Sequence, residues 1–446
     1  MAIHPIEFRY GTPEMKVVWT EEHRFRRIID AEVALAQAEA RSGMIPQAAA
    51  EAIAAAASGA SLQRAKEIED EIHHDMMAIV RAVSEVCGES GRWVHYGATS
   101  NDILDTATGL QLKDAITILD SRLRQLLSSL LTRSSETKKL VCIGRTHGQH
   151  GVPTTYGLRF AIWASEIGRH IERLEQMKPR VCVGQMTGAV GTQAAMGTHG
   201  IEVQETMMQL LGISSVDVSN QVIQRDRYAE YFCFLANVAT TLDKIGVEIR
   251  SMQRTEIGEV EEAFGANQVG SSTMPHKRNP IRSEQVCGLA RIVRSSVEPA
   301  FQNNTLWDER DLTNSSPERI LFPEATILCD HIIKLMNTVI EGLVLKPDRI
   351  RKNLMQLHGI NMAESVMIEL TKKGMARQEA HEVIRVKSME ALASEQALAG
   401  LLANTPEVTK YIPAAEIEAL LHPDNYLGTS VQQVERVVAK LKPLCT

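Results

Sequence analysis

The stretch YAEYFCFLANVATTLDKIGVEIRSM, residues 228–252, decides the expected fold. Its apolar residues recur at alternating spacings of three and four positions, namely Tyr228, Tyr231, Leu235, Val238, Leu242, Ile245, Ile249 and Met252. This spacing places a single apolar seam along one face of an α-helix. A long helix with one seam is not stable alone, so we expect it to pack against other helices.

The same pattern recurs elsewhere in the chain. One seam begins after Asp105 and consists of Leu112, Ile116, Leu119, Leu123, Leu126 and Leu130. It predicts a helix of some 30 residues, about 45 Å long. Shorter seams lie within 160–174 and 320–340. A bundle of long helices fits these seams, and a long coiled-coil dimer is the structural alternative. The bundle explains better why Gly- and His-rich segments without heptad character separate the helices.

The sequence as a whole predicts an all-α fold with three helical domains. The 446 residues exceed what one compact core usually holds. Aromatic residues make up only 4%, and the abundance of good helix formers favours helix over sheet. The seams weaken after about Pro347. We therefore expect an N-terminal helical domain over 1–104, a central long-helix bundle over 105–354 and a C-terminal helical domain over 355–446.

Composition argues against several function classes. The chain has 48 basic and 55 acidic residues, a net charge of −7, which gives no reason to expect nucleic acid or membrane as a partner. Its seven cysteines are scattered and never form a CxxC pair, so we expect a reduced compartment without a zinc knuckle or disulfide framework. The N-terminus lacks a signal-peptide pattern, and no stretch of about 18 apolar residues occurs. We expect a cytoplasmic protein.

Polar segments at or near the predicted helix ends are the natural places for chemistry. They are EIHHDMM (71–77), HYGATSND (95–102), GRTHGQHGVPTT (144–155), SNQVIQRDR (219–227), GSSTMPHKRNP (270–280) and WDERDLTNSSPER (307–319). Side chains at the ends of bundled helices can converge even when they are far apart in sequence. The segment 270–280 begins with glycine and holds two prolines, so it cannot be a regular helix or strand.

These segments carry a resemblance to a known family. GSSTMPHKRNP resembles the signature loop of the fumarase/aspartase superfamily, whose members eliminate fumarate from a succinyl group. The other segments, together with RYGTPEM (9–15), are similar in order and spacing to the adenylosuccinate lyase family. The resemblance covers nearly the whole chain. It implies a homotetramer in which the central helices form one bundle and each active site is built from three chains.

The implied reaction is a cofactor-free elimination of fumarate in purine nucleotide biosynthesis. The two substrates of the family are adenylosuccinate, which gives AMP, and succinylaminoimidazole carboxamide ribotide (SAICAR), which gives AICAR. A proton leaves the carbon beside a carboxylate, and the adjacent C–N bond breaks. The doubly charged aci-carboxylate formed on the way requires fixed donors, of which one contributes roughly 3 kcal/mol. We expect no metal and no cofactor.

The resemblance assigns catalytic roles to four residues. Ser271 is the general base, and Lys277 stabilises its alkoxide. His147 is the general acid for the departing nitrogen, and His74 supports it. A histidine suits this role because its ordinary pKa lies near neutral, and a placed acid contributes roughly 10²–10⁴-fold. From the residues alone, Ser271 is a turn residue and Lys277 a solvated charge.

The resemblance also assigns substrate contacts. The expected contacts are Arg9, Tyr10, His73, Asp75, His95, Thr99, Ser100, Gln221, Met274, Asn279, Glu284, Arg310, Ser315 and Arg319. Within this set, Arg9, Tyr10, Arg310, Ser315 and Arg319 are matched to phosphate binding, for which paired arginines are well suited. Thr99, Ser100, Lys277 and Asn279 are matched to carboxylates, Gln221 to the succinyl portion, and Glu284 to orienting Lys277. Met274 would pack in the site.

The residues themselves also allow plainer roles. Ser100 or Asn101 could simply cap the long helix that follows. Arg310 and Arg319 could be surface ion-pair partners of Glu309 and Glu318. The chain also departs from the family pattern, with Ile72 in place of the more usual threonine, TNSS at 313–316, and Trp307-Asp308. The Ile72 change removes a hydroxyl group from the neighbourhood of the site.

Four alternatives remain at the sequence level. A carboxymuconate cycloisomerase shares the serine loop but needs neither His147 nor the pair Arg9 and Tyr10. Argininosuccinate lyase fits the segments RYGTPEM and HHD poorly. A metal-dependent phosphohydrolase could use His73, His74 and Asp75, with His147 and His150 as a further pair. A non-catalytic relative, such as the lens proteins of this superfamily, would keep the bundle and lose site residues.

Overall fold

The computed structural model describes residues 3–265, 273–274 and 276–445. Within these residues the α-helices are α1 Pro5–Phe8, α2 Pro13–Val18, α3 Glu21–Arg41, α4 Gln47–Ala56, α5 Leu62–Ile72, α6 Asp75–Val86, α7 Ser100–Glu136, α8 Tyr156–Val181, α9 Gly200–Leu211, α10 Asp226–Gln253, α11 Ile281–Ser295, α12 Val297–Gln302, α13 Ser315–Gly342, α14 Pro347–Leu354, α15 Ala363–Lys372, α16 Arg377–Ser394, α17 Leu398–Ala403, α18 Pro406–Thr409, α19 Ala414–Leu420 and α20 Ser430–Leu441. Short 3₁₀ helices lie at Ala57–Gly59, Gly88–Trp93, Ala194–His199, Ile360–Met362, Pro423–Asn425 and Lys442–Cys445. The predicted all-α class is confirmed.

The apolar seams of α7, α8 and α10 are buried as predicted, whereas Ile320, at the start of the seam predicted within 320–340, is 62% exposed. Every residue of the opening seam, on α10, is at most 4% exposed. The six seam residues of α7 are at most 1% exposed, and the seam of α8 is equally buried. α7 has 37 residues, α10 has 28 and α13 has 28. Burial of these stripes supplies most of the free energy that holds such long helices in place.

Three small two-stranded sheets interrupt the helices in the described residues. The strands are β1 Val141–Thr146, β2 Gln149–Thr155, β3 Val183–Gly184, β4 Ser214–Ser215, β5 Val260–Glu261 and β6 Val344–Leu345. β1 and β2 form an antiparallel hairpin, β3 and β4 pair in parallel, and β5 and β6 pair antiparallel. The hairpin corresponds to the polar segment 144–155, for which the sequence predicted no strand.

The chain divides into two compact units. The first unit comprises Met1–Leu123, Arg169–Leu242 and Gly288–Lys334, and the second comprises Arg124–Gly168, Asp243–Cys287 and Leu335–Thr446. Within the first unit, one apolar cluster combines residues 25–107 with residues 186–208. Within the second unit, residues 362–421 form a cluster of their own. The division into three domains stays a prediction.

An aromatic cluster fixes the first turns of α13 in the first unit. Phe322 stacks on Trp19, with ring centroids 5.7 Å apart, and contacts Tyr228 and Phe232 at 5.1 and 5.0 Å. Offset and edge-to-face ring pairs of this kind add about 0.5–1.5 kcal/mol each to area burial. The cluster therefore holds the polar start of α13 in a fixed place.

A search for membrane-spanning helices among the described residues finds none of sufficient length and apolarity.

Candidate functional site

A cavity of about 280 Å³ lies in the first unit, and it gathers several of the predicted residues. Arg310, Ser315 and Arg319 all line it. These three were expected to bind a phosphate together, and the fold places them on one wall. Arg24 lines the same cavity, although the sequence did not single it out.

Arg225 forms the buried base of this cavity. Its guanidinium donates to Asp105 at 2.7 and 2.9 Å and to Glu318 at 2.9 and 3.2 Å. Burial opposes its charge, but the two carboxylates prevail and raise the pKa of Arg225 well above its ordinary value. The sequence-based ion pair between Arg319 and Glu318 is therefore wrong, because Glu318 is bound to Arg225.

Arg319 pairs with Asp75, which joins two predicted site residues. Its Nη2 lies 2.9 Å from the Asp75 Oδ2. Burial alone would raise the pKa of Asp75, but the Met76 N–H, Arg319 and Arg24 lower it below its ordinary value. Asp75 is thus held as a charged carboxylate beside the arginines of the cavity.

His74 is the N-cap of α6. Its Nδ1 accepts a hydrogen bond from the Met77 N–H at 3.3 Å. Since a backbone N–H can only donate, Nδ1 must be the acceptor, and the neutral ring carries its proton on Nε2. The cap therefore fixes both the orientation and the tautomer of this histidine.

His95 is held by a carboxylate that the sequence reasoning missed. Glu32 of α3 accepts from the His95 backbone N–H at 3.0 Å and from its Nδ1 at 2.7 Å. Burial lowers the pKa of His95, but Glu32 and Asp102 outweigh burial and raise the pKa above its ordinary value. Glu32 is 1% exposed, so it has a structural reason to be paired.

Thr99 and Ser100 lie at the start of α7. The helix begins at Ser100, so Thr99 takes the cap position that the sequence assigned to Ser100 or Asn101. Asp102, one turn in, accepts from the Thr99 N–H at 2.9 Å and from the Thr187 N–H at 2.8 Å. Burial raises the pKa of Asp102 despite these bonds. The carboxylate fixes the backbone that carries Thr99 and Ser100.

Gln221 is tied to the same cavity through Arg310. Its Oε1 accepts from the Arg310 Nη1 at 3.0 Å, and its Nε2 donates to the Ala189 carbonyl at 2.8 Å. Both ends of the amide are engaged, so its orientation is defined. The fold thus brings a residue expected to bind the succinyl portion into contact with one expected to bind phosphate.

Arg9 and Tyr10 lie apart from the other expected phosphate contacts. The Tyr10 ring packs on His331, with centroids 5.6 Å apart. His331 is twelve residues after Arg319 on α13, about 18 Å along the helix axis. Gly11, with φ of +93°, allows this packing, because a Cβ there would lie 2.4 Å from Ile327. Within the described residues, no contact joins Arg9 or Tyr10 to Arg310, Ser315 or Arg319.

Three of the expected site histidines have left-handed backbone conformations. The φ angles are +54° at His73, +63° at His95 and +54° at His147. Such a conformation costs an ordinary residue about 1–2 kcal/mol, and histidine is among the residues that adopt it more often. Strain of this kind clusters at functional sites, so this shared feature supports a site role for all three.

In the second unit, His147 lies at the tip of the β1–β2 hairpin. His147 and Gly148 form its two-residue turn and both have positive φ, as a tight hairpin turn requires. The His147 side chain is exposed. Arg145, two residues earlier, donates to Glu259 at 2.6 Å, and the Tyr156 hydroxyl donates to the same buried carboxylate at 2.6 Å. Glu259 thus anchors the strand that presents His147.

Glu259 is charged although it is fully buried. Burial raises its pKa, but hydrogen bonds from Arg145, Tyr156 and Asn353 outweigh that effect and lower the pKa below the ordinary value. The Asn353 bond is 2.9 Å long. Three donors on one carboxylate make this a rigid support for β1.

Only part of the serine loop is among the described residues. Ser271 lies outside them. Met274 and Lys277 are exposed, and the Lys277 N–H donates to the Met274 carbonyl at 3.0 Å. Asn279 precedes α11, and Glu284 lies in its first turn. Within the described residues, no hydrogen bond or ion pair joins Glu284 to Lys277, so that orienting role stays a prediction.

Glu262 fixes the end of this loop. Its Oε1 accepts from the Ser283 N–H at 2.7 Å, and its Oε2 accepts from the Arg282 N–H at 3.1 Å. A carboxylate on free N–H groups at a helix start is a stabilising cap. The cap fixes where the loop enters α11.

Two further observations concern the alternatives and departures. Among the residues described by the structure, no group of three or more His, Cys, Asp or Glu side chains is arranged to hold a metal ion.

Ile72, at the end of α5, is partly buried against the apolar core of the first unit. Packing therefore gives a physical reason for an apolar residue at a position where the family more often has threonine.

The missed carboxylate Glu32 had a signal in the sequence. Phe25, Ile28, Glu32, Leu35 and Glu39 are spaced by three and four residues, so two carboxylates occupy positions of an apolar seam on α3. A charged residue at a seam position is buried and must be paired or neutral. Arg24 had no comparable signal, because it lies beside the seam.

Comparisons with known proteins show the family of this chain. A lyase family model matches residues 7–294, and a model of the adenylosuccinate lyase C-terminus matches residues 359–437. The adenylosuccinate lyase of Methanocaldococcus jannaschii is 51% identical over 99% of this chain and 96% of its own. That of Pyrococcus horikoshii is 52% identical over 98% of both chains.

Solved structures are similar as well. A fumarate lyase from Mesorhizobium sp. BNC1 superposes with a TM-score of 0.89 at 32% identity, covering 96% of this chain and 98% of its own. A 3-carboxy-cis,cis-muconate lactonizing enzyme from Pseudomonas putida gives 0.89 at 30% identity, covering 99% of both chains. The fold and these matches define a lyase of the fumarase/aspartase superfamily, and the chain belongs to its adenylosuccinate lyase family.

Proposed function

We propose that this chain catalyses the cofactor-free elimination of fumarate from adenylosuccinate, which leaves AMP, and the parallel cleavage of SAICAR to AICAR. The observation that carries the proposal is an identity of 51–52% to adenylosuccinate lyases over nearly the full chain. The arginine-lined cavity agrees with it, since both substrates carry a phosphate. The activity belongs to purine nucleotide biosynthesis, and we propose a cytoplasmic location.

The proposed chemistry begins with proton abstraction. Ser271, as an alkoxide, takes the proton from the carbon beside a substrate carboxylate, and the electron pair moves into that carboxylate. Lys277, Asn279, Thr99 and Ser100 stabilise the resulting dianion. Fixed donors act best here because they need no reorganisation as the charge develops.

Breakdown of this intermediate needs an acid. The electron pair returns to form the double bond of fumarate, the C–N bond breaks, and His147 protonates the departing nitrogen. His147 is held at a hairpin tip by a strained turn and an anchored strand, which supports such a role. His74, with its proton on Nε2, can donate a hydrogen bond near the same centre.

We also propose a homotetramer with shared active sites. The Tyr10 ring packs on His331, which is about 18 Å from Arg319 along the axis of α13. A phosphate site that uses Arg9 and Tyr10 together with Arg310, Ser315 and Arg319 therefore needs a second chain. Mixing Arg319→Gln chains with His147→Asn chains tests this, because shared sites regain part of their activity in mixed assemblies. No recovery, in assemblies shown to contain both chains, would count against sharing.

A carboxymuconate cycloisomerase is the second candidate, and the solved structure from Pseudomonas putida is the observation that favours it. That structure is 30% identical to this chain, whereas the adenylosuccinate lyases exceed 50%. A cycloisomerase has no use for a phosphate site of three residues.

The deciding experiment is fumarate release from adenylosuccinate by the purified chain, followed by NMR with a chelator present. We expect equal amounts of fumarate and AMP, and loss of the activity in Ser271→Ala and His147→Ala. No fumarate from a folded sample would contradict the proposal, and lactone formation from 3-carboxymuconate would then identify the cycloisomerase. Release that stops only with the chelator would indicate a metal.

A further inference from the structure

We propose that Arg24 binds the phosphate of the substrate in the first-unit cavity, as a third arginine beside Arg310 and Arg319. The identity of the substrate rests on the function proposed above. The placement of an anion rests on the cavity itself.

Arg24 is a cation without a partner in the part of the chain that the structure describes. It lies in the first turn of α3 and lines the cavity, but makes no hydrogen bond or ion pair with any described residue. Burial, and then the charge of Arg319, lower its pKa below the ordinary value. The charges of Asp75 and Glu21 partly offset this lowering, but neither carboxylate forms a bond to Arg24, so its guanidinium remains available to bind an anion beside Arg319.

The carboxylates around the cavity all form ion pairs with cations other than Arg24. Asp105 and Glu318 are both occupied by Arg225, and Asp75 is bound to Arg319. Glu21 lines the cavity but forms its ion pair with Lys66. Arg24 and Arg310 are then the two cavity cations without an ion pair among the described residues, and a phosphate monoester with nearly two negative charges at neutral pH would pair with both.

Three buried polar atoms of residues that line the cavity also lack partners among the described residues. They are the Arg310 Nε, the Trp19 Nε1 and the Asn101 Oδ1. Asn101 is only 5% exposed, so an unsatisfied amide oxygen there is unfavourable unless a ligand or water fills the cavity. Two donors and one acceptor match a group with anionic oxygens and a neighbouring hydroxyl, such as a ribose 5′-phosphate.

The N-termini of three helices also favour an anion in this cavity. α3, α7 and α13 have 21, 37 and 28 residues, and residues of all three first turns line the cavity, namely Glu21, Asn101 and Ser315. Each helix start carries a partial positive charge of about half a unit. Three such starts around one cavity strengthen the preference for an anion.

The test compares Arg24→Gln with the wild-type protein in AMP binding by calorimetry. We expect the Kd for AMP to rise about 10–100-fold, because a charged hydrogen-bonding pair is lost. The KM for adenylosuccinate should rise similarly while kcat changes less. Inhibition by fumarate, which has no phosphate, should stay within about two-fold. Arg24→Lys should recover part of the affinity, because it keeps the charge but not the planar fork.

Arg26→Gln is the matched control. Arg26 lies on the same helix, but it contacts Glu22 and the Ser58 carbonyl instead of the cavity. It should bind AMP like the wild type. An Arg24→Gln protein that binds AMP with wild-type affinity overturns the inference, and so does weaker fumarate inhibition without any change in AMP binding, which would place a carboxylate there.

The inference can fail separately from the proposed function. If the wild type releases no fumarate, the activity is wrong, but binding of inorganic phosphate still tests the site. Weaker phosphate binding by Arg24→Gln would support the anion site. Equal binding by both proteins, or no binding by either, would overturn it. If Arg24→Gln does not fold, Arg24→Lys takes its place: loss of the planar fork should still raise the Kd for AMP, and a wild-type Kd would overturn the inference.

Discussion

The Glu32 carboxylate holds His95 at two points, accepting from its backbone N–H at 3.0 Å and from its ring Nδ1 at 2.7 Å. The two bonds fix both the left-handed backbone conformation of His95 and the position of its Nδ1. Nε2 is then the nitrogen of His95 that remains to meet a substrate. We propose that Glu32 is a positioning residue, because it holds His95, which is an expected substrate contact.

Glu32→Gln should lower the pKa of His95 and destabilise the fold by about 1–3 kcal/mol near pH 6. The folded-state pKa of His95 is raised, so its stabilising contribution is complete below its unfolded pKa and is lost as pH rises through the folded value. The difference in the free energy of unfolding between the wild type and Glu32→Gln should therefore become smaller towards pH 9. Histidine NMR titration and denaturant unfolding at both pH values measure this.

Glu22→Gln is the control for that variant, since Glu22 is exposed on the same helix and pairs only with Arg26. It should shift stability by less than about 0.5 kcal/mol. A His95 titration that is the same in the wild type and in Glu32→Gln would refute the positioning role.

The role of His74 as the N-cap of α6 and its proposed role in catalysis can be tested separately. His74→Asn keeps a side-chain cap for α6, so stability should stay within about 0.5 kcal/mol, whereas His74→Ala should lose about 1 kcal/mol. Both should lose most fumarate release, because neither keeps an imidazole. Thermal unfolding and initial rates give the two readouts. Full activity in His74→Asn would reduce this histidine to a helix cap.

The role of His147 in the hairpin turn can likewise be tested separately from its proposed role as the general acid. Glycine and asparagine both tolerate the left-handed turn, so His147→Gly and His147→Asn should fold as stably as the wild type. Each should lower kcat by roughly 10²–10⁴-fold if the residue is the general acid. Steady-state kinetics check this, with circular dichroism to confirm folding. A variant with wild-type kcat would remove His147 from the mechanism.

Glu39 should make stability fall as pH rises. It is fully buried beside Glu32, and burial, followed by the Glu32 charge, raises its pKa to about 8. Between about pH 4.5 and pH 8 the folded state keeps a proton that the unfolded state releases, so the wild type loses stability across this range. Glu39→Gln removes that dependence, and its advantage should grow to a few kcal/mol and level off above pH 8.

Urea unfolding at intervals across this range measures the effect. Glu51→Gln is the control, because Glu51 is exposed on α4. Parallel stability curves for the wild type and Glu39→Gln would show that Glu39 is charged throughout.

The helical architecture could be predicted because it depends on spacing alone. Every seam residue from Leu112 to Leu130 is buried, as the alternation of three and four required. The β1–β2 hairpin could not be predicted, since its strands are short and rich in polar residues. Its turn depends on His147 adopting positive φ, a conformation that no local pattern marks.

The expected site residues come from motifs in the sequence, whereas the pairing among them could not be predicted. Sequence reasoning paired Arg319 with the nearby Glu318, but the fold pairs it with Asp75, 244 residues away. Such choices depend on which carboxylate is buried next to which cation, and that is a property of packing. Arg24 was missed for the same reason, because its role depends on neighbours from α7 and α13.

The boundaries of the two compact units have a consequence for anyone who would dissect this enzyme. The chain passes from one unit to the other five times, and each passage lies inside a helix, namely α7, α8, α10, α11 and α13. There is consequently no linker to cleave at any of these passages, and neither unit corresponds to a continuous gene segment. Fragments made by truncation would carry severed helices with exposed seams, so insertions and tags are better placed in surface loops within one unit.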